Sequence, residues 1–461
     1  MTKDLEINIY GFLYMRKVIL MRTTISLVFL LLPATLWAEA IDFPTALQEA
    51  IEGRPFAVAA RKDAEAAAGA AGEARSRYLP RLTFSERFTW TNEPGSSLFI
   101  SLNQEDLVIR EADYYNHPDD RRDFETRLDL NQVLYDPDVS YGYRRAQKGV
   151  AAATEQARWA EEEAGFALFR AYLGLQRTLG AQDWAASGLR QAEEVLRLAQ
   201  ERQAEGLGLK ADTLQAAVFL ADAQRRERSA ANDVAQARQA LALALGREDG
   251  DVSLGRPLRP EDFADSVSAD EPDRSDLRAL SLREEEAGLA VKQSRAAYFP
   301  KVGLGASYVF HDGSTPLGTE AESWMLHAGL TWELFDGFQR SQGRSRAEAT
   351  REAFHWRRQE AVRQATLQRD EAERRIEEAR LNLETARQSE IQGAESLRLL
   401  KERYAVGLTD MADLLAAQTA VERIRLESIQ AEAQLIFSLA SRHFQQGSFL
   451  QTFLPSEEMN P

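Results

Sequence analysis

An internal duplication constrains this chain more than any other feature. Tyr78-Leu-Pro-Arg-Leu82 recurs as Tyr298-Phe-Pro-Lys-Val302, and Leu134-Tyr-Asp136 recurs as Leu334-Phe-Asp336. A longer pattern, from Arg202 through Gly206-Leu207 to Asp212, returns as Arg403 through Gly407-Leu408 to Asp413. The landmarks keep their order, so one supersecondary plan is written twice. The offset falls from 220 residues at the first landmark to 200 at the second. The first copy therefore carries a loop insertion of about twenty residues, which surfaces tolerate at little cost. A stretch rich in Pro, Asp and Ser joins the copies. The expected organisation is residues 41–249, a linker at 250–272, residues 273–447, and a C-terminal tail at 448–461.

Within each copy the hydrophobic period switches. Phe43 to Arg77 reads as a helix stopping before Pro80. Leu82, Phe84, Phe88 and Trp90 then alternate with polar residues, as do Phe124, Thr126, Leu128, Leu130 and Leu134. In the second copy the runs are Val302 to Phe310 and Trp324 to Leu334. Period two over such lengths predicts strands at about 80–91, 124–134, 302–310 and 324–334. Strands of about ten residues cross a bilayer when tilted. Aromatics stand at both ends: Tyr78, Tyr135, Tyr298 and Phe335 at one, Trp90, Phe124, Phe310 and Trp324 at the other. Such girdles mark membrane interfaces, although alternation alone fits a half-buried hairpin of a soluble sandwich equally well.

Each hairpin is followed by an apolar seam stepping by four and three, through Ala164, Leu168, Ala171 and Leu175 in one copy and Ala365, Ala372, Ile376 and Leu383 in the other. That spacing is a coiled-coil seam. It predicts helices from about Val139 to Gln203 and from about Gln339 to Tyr404, each a rod of roughly 100 Å. Gly206 and Gly407 turn the chain into returning helices beginning near Asp212 and Met411.

Composition narrows the functional classes. The 461 residues carry a net charge of -16 and no Cys. An acidic chain is a poor nucleic-acid ligand. Without Cys there are no disulfides, thiolate metal sites or lipidated N-terminal cysteine. Beyond residue 40 no apolar run reaches the ~18–20 residues of a membrane-spanning helix. Before it, Arg16, Lys17 and Arg22 precede the apolar run Ile25 to Ala34, and Ala38-Glu39-Ala40 closes a cleavage pattern. Residues 1–40 read as a secretory signal peptide, with Met15 or Met21 as alternative starts and an N-terminal anchor as the competing reading.

Four strands cannot close a barrel, and an open sheet in lipid leaves unpaired edges. A symmetric homotrimer solves this with twelve strands, leaving a water-filled lumen that the helical rods extend. The expected fold class is mixed: two tandem repeats, each of long coiled-coil helices plus a β-hairpin, forming a trimeric 12-stranded outer-membrane β-barrel continued by a periplasmic α-helical barrel.

Taken in order, Leu47-Gln-Glu-Ala-Ile51, Arg77-Tyr-Leu-Pro80, Ala297-Tyr-Phe-Pro300, Leu334-Phe-Asp-Gly337 and the tip pattern Arg403-Tyr-x-x-Gly407-Leu-x-x-x-x-Asp413 carry a further message. The chain resembles the TolC-like outer-membrane factor family over about residues 41–447. The resemblance implies a passive exit duct of a tripartite efflux pump or type I secretion system, docked at its helical tips by a periplasmic adaptor and an inner-membrane transporter. It implies no cofactor. Position by position, it assigns the periplasmic aperture to Asp212, Tyr404 and Asp413, and adaptor docking to Gly206, Leu207, Gly407 and Leu408. Thr409 stands where some members carry an arginine of the aperture, with Lys210 or Arg403 as possible replacements. Asp212 and Asp413 also suit a helix N-terminus, which is compatible with an aperture role.

Catalytic and metal readings find little to start from. The five histidines, His117, His311, His327, His355 and His443, form no i,i+3 or i,i+4 ligand pair, so solvated surface or loop-tip positions are expected and no metal site. The loop from Asn92 to Asp123 is expected to face outside the cell. The rival reading from another class is a coiled-coil scaffold or adhesin without transport activity.

Overall fold

The computed structural model describes residues 39–247, 252–263 and 274–454. Residues 1–38 of the proposed 1–40 leader, part of the linker and the last residues of the tail lie outside this range, while Glu39 and Ala40 fall within it. The chain runs β1 (Glu39–Ile41), α1 (Phe43–Gly53), α2 (Pro55–Ser76), β2 (Arg81–Thr91), α3 (Pro94–Asn103), α4 (Ala112–Asn116), β3 (Arg121–Tyr135), α5 (Pro137–Ala204) and α6 (Lys210–Leu245). After β4 (Val252–Leu254) and a 3-10 turn (Pro260–Phe263) come α7 (Ser275–Ala296), β5 (Lys301–Asp312), β6 (Ala321–Thr331), α8 (Gln339–Ala405), α9 (Met411–Gln446) and α10 (Phe449–Phe453).

The expected first helix is two. Arg54 is extended (φ -70°, ψ 123°) because Pro55 disfavours helical backbone in the residue before it, so α1 ends and α2 begins with proline at its first position. The rods α5 and α8 contain 68 and 67 residues. α5 starts on the carboxylate of Asp136, which accepts from the Asp138 amide, and buries Ala164, Leu168, Leu175, Ala192 and Ala199 along its seam. The small seam residues allow close axial approach. α2 and α6 pack along successive parts of α5, and α7 and α9 do the same along α8.

A waist of aromatic packing joins the rods. Phe43 of α1 packs edge-on against Phe169, Tyr172, Phe449 and Phe453. β1 pairs in parallel with β4, and the Tyr172 hydroxyl donates to the carbonyls of Ile41 (3.2 Å) and Arg256 (2.8 Å), tying that pair to α5. Glu162 lies buried here, its carboxylate accepting the Leu450 amide of α10 at 3.2 Å. Burial, opposed by that bond and reinforced by Glu161, pushes its carboxyl up to about 7.

The hairpins merge into one antiparallel sheet in the order β2-β3-β5-β6. Cross-strand register puts Leu82, Phe84, Phe88, Trp90, Phe124, Leu128, Leu130, Val302, Tyr308, Phe310, Trp324, Leu326 and Leu330 on one face. Thr83, Ser85, Arg87, Arg127, Asp129, Asn131, Ser307, His311 and Ser323 share the other. Alternation through Leu134 is interrupted: a bulge between Val133 and Tyr135 shifts the register, so Tyr135 rather than Leu134 pairs with Val302. β6 ends at Thr331, and Trp332 beyond it donates its indole N–H to the Tyr298 carbonyl at 3.1 Å.

Candidate functional site

Three regions carry the residues singled out by sequence, and the first is the helical tip. Gly206 (φ 75°) and Gly407 (φ 81°) adopt the left-handed conformation that ends α5 and α8. Around them, the amides of Leu207 and Leu408 reach back to the carbonyls of Arg202 and Arg403 at 2.8 and 2.9 Å, the usual closure of a helix by glycine. Arg202 and Arg403 occupy equivalent positions, donating to the carbonyls of Leu207 and Leu408 at 3.2 and 3.4 Å. Arg202 alone of the two reaches across to the other turn. Its guanidinium lies 4.9 Å over the Tyr404 ring and bonds the carbonyls of Tyr404 and Ala405. The sequence signal was present, in an arginine repeated at both turns, but only contact between the turns distinguishes the first copy.

Tyr404 is 2 % exposed, packed with Leu397, Met411 and Leu414, and its hydroxyl has no hydrogen-bond partner among the described residues. Burial and the nearby Asp212 carboxylate hold its phenol above its ordinary pKa, with Arg202 acting in the opposite sense. Asp212 accepts the Leu209 amide at 3.3 Å at the start of α6. In the second turn the cap is Asp410, which accepts the Asp413 amide at 2.8 Å. Asp413 itself is exposed and accepts from the Thr409 hydroxyl at 3.0 Å. Leu207 and Leu408 project into solvent, together with Leu209 and Val406, which sequence reasoning did not single out. Four exposed apolar side chains thus crowd the end of the rods.

The second region is the apolar face of the sheet. Phe84, Phe88, Trp90, Trp324, Leu326 and Leu330 are all exposed on it. Trp90, Phe124, Phe310 and Trp324 each step two register positions relative to the previous strand, tracing an oblique line across the sheet. Along the chain each is eleven or twelve residues from its counterpart, Tyr78, Tyr135, Tyr298 or Phe335. Tyr78, Tyr298 and Phe335 lie outside the strands; β2, β5 and β6 themselves contain 11, 12 and 11 residues, which at about 3.3 Å per residue and a tilt near 45° span roughly 25–30 Å. β2 and β6 each present one unpaired edge, and they run in opposite directions.

The third region is the end of the sheet away from the rods. The loop after β2 is not free there. Ser97, Ile100 and Ser101 of α3 are buried, and Gln104 donates to the carbonyl of Arg122 (2.8 Å) and to Asp123 Oδ1 (3.0 Å). α3 is therefore held against β3 and the polar face. The expectation of solvated histidines also fails at two positions: His311 and His443 are 4 % and 1 % exposed. His311 Nδ1 lies 3.0 Å from Asp123 Oδ2, while His443 Nδ1 lies 3.2 Å from the Thr452 hydroxyl. Among the described residues no helix is long and apolar enough to cross a membrane.

Residues 46–247 and 271–441 match the outer membrane efflux protein family. The chain belongs to that family. Among its relatives is the alkaline protease secretion protein AprF of Pseudomonas aeruginosa, 27% identical over 326 residues, covering 66% of this chain and 62% of AprF. Another is outer membrane protein OprJ of the same species, 26% identical over 289 residues, covering 58% of this chain and 57% of OprJ. The chain thus spans about six-tenths of the length of these curated relatives. The outer membrane channel CmeC of Campylobacter jejuni has the same fold, with a TM-score of 0.75 at 16% identity, covering 88% of this chain and 86% of CmeC. The TolC-like channel fold, mostly helical with some sheet, is therefore that of this chain.

Proposed function

We propose that this protein is the outer-membrane exit duct of a tripartite efflux pump or type I secretion system, a passive channel opened at its helical tip. The observation that carries the reading is the sheet: an exposed apolar face crossed by one oblique aromatic line, with further aromatics just beyond the strands' other ends, and two oppositely directed free edges. Pairing β6 of one copy with β2 of the next continues the antiparallel alternation. Three copies would supply twelve strands and leave no edge in lipid. The two sets of aromatics then sit at the two membrane interfaces, and the polar face lines the lumen. The organisation into a first repeat at 41–249 and a second at 273–447 follows the duplicated landmarks.

At the other end, the exposed Leu207, Leu209, Val406 and Leu408 suit docking by the hairpins of a periplasmic adaptor, which couples the duct to an inner-membrane transporter. Asp212, Tyr404 and Asp413 form the aperture, with Arg202 fastening one turn to the other. Cargo selection belongs to the upstream pump. Purified outer membranes should give a heat-modifiable trimer band on gels, and the protein should form ion-conducting channels in planar bilayers. Recovery only as a soluble periplasmic monomer would overturn this reading.

A further inference from the structure

We propose that Asp123, Glu125 and His311 form a binding site for a divalent transition-metal ion of the zinc type at the outer end of the sheet's polar face. Glu125 and His311 are direct cross-strand partners on β3 and β5, and Asp123 stands two residues along β3 on the same face. One ligand atom from each lies within 4.8 Å of the others. His311 Nδ1 is 3.0 and 3.2 Å from the two Asp123 oxygens. Two ligands sharing a tetrahedral ion at about 2.0–2.2 Å stand roughly 3.3–3.6 Å apart, so the Asp123–His311 pair needs to open by no more than about half an ångström. Closing Glu125 from within 4.8 Å onto the same ion needs a side-chain adjustment of up to about 1.5 Å. One imidazole and two carboxylates make a donor set suited to zinc rather than to magnesium or calcium, which favour all-oxygen shells.

The surroundings are those of a held ligand set rather than of a surface ion pair. Asp123 and His311 are each 4 % exposed. The Gln104 amide donates to Asp123 Oδ1 at 3.0 Å, the kind of outer contact that orients a metal-binding carboxylate. Arg127 Nε lies 2.9 Å from Glu125 Oε1 and competes for that ligand. A bound ion takes the place of the His311–Asp123 hydrogen bond and bridges β3 to β5. Through Gln104, which follows α3, it also fastens the end of that helix across the polar face.

The test is a titration of the purified protein in detergent, stripped with EDTA and desalted, using Co2+ followed by visible absorption and Zn2+ followed by calorimetry. The expected result is one ion per chain, with binding at least tenfold weaker in His311→Gln and in Asp123→Asn. Arg127→Ala should bind at least as tightly as the parent. Absence of saturable binding, or binding unchanged in His311→Gln, overturns the proposal and leaves a structural Asp–His pair. Circular dichroism confirms that each variant is folded. Should His311→Gln not fold, Glu125→Gln at the half-buried position carries the same comparison, with unchanged binding again counting against the site.

Discussion

Glu162→Gln tests the buried carboxylate at the waist. Glu162 is 7 % exposed, and its carboxyl is pushed from an ordinary 4.5 up to about 7, chiefly by burial. A native state that holds the proton more tightly than the unfolded chain loses stability as pH rises between those two values. The penalty is absent below about pH 4.5, develops through the interval and is complete above about pH 7, where at about 1.4 kcal/mol per pH unit it amounts to about 3 kcal/mol. Glutamine removes the charge and can still accept the Leu450 amide, through a neutral bond weaker by about 1 kcal/mol. The net gain is about 2 kcal/mol at pH 8, or roughly 2 °C in melting temperature for a chain of this size. Helical ellipticity at 222 nm, followed during heating in detergent at pH 8 and pH 5, reads this directly. Half-lives at fixed temperature provide the comparison if unfolding is irreversible. The variant should be more stable at pH 8, and the difference should shrink at pH 5. A variant no more stable than the parent at pH 8, or a gap unchanged by pH, would refute the reasoning.

At the tip, Arg202→Ala removes the Tyr404 stacking and the bonds to both turns, loosening them by about 2 kcal/mol, and should raise single-channel conductance in planar bilayers. Tyr404→Phe, which removes a hydroxyl without a partner among the described residues, should leave conductance near that of the parent. On the sheet, Phe84→Arg places a cation on the apolar face at a cost of about 2–4 kcal/mol near the membrane midplane and should abolish the heat-modifiable band, whereas Ser85→Arg on the polar face should assemble. At the waist, a Cβ on Gly165 would stand 2.6 Å from Leu450 Cδ2 and 2.8 Å from Leu47 Cδ1. Gly165→Ala should therefore lower the melting temperature through about 1–3 kcal/mol of overpacking.

Much of the fold was legible because its signals are local and periodic. The seam through Ala164, Leu168 and Leu175 specifies a rod whatever it packs against, and the alternation from Leu82 to Trp90 specifies a two-faced strand. Gly206 and Gly407 mark the turns because left-handed backbone is inexpensive for glycine. The break at Arg54 was equally local and was missed because the alanine-rich run obscured Pro55. The candidate sites were less legible. Tyr404 was readable as a tip residue, but its burial and its arginine partner 202 positions away depend on two turns meeting in space. His311 and Asp123, separated by 188 residues, become neighbours only when β3 pairs with β5.

By itself, then, the sequence carried the recurring landmarks, the approximate extents of the rods and which strand residues share a face, since each follows from periodicity along the chain. Tertiary structure decided the order β2-β3-β5-β6, the bulge that turns Tyr135, the packing of α3 onto the sheet, and the choice of Arg202 over Arg403 as the tie between the turns. The physical reason is that the two copies carry nearly the same local signals. Only non-local packing, in which each copy meets the other in a different environment, gives equivalent residues different partners and hence different roles.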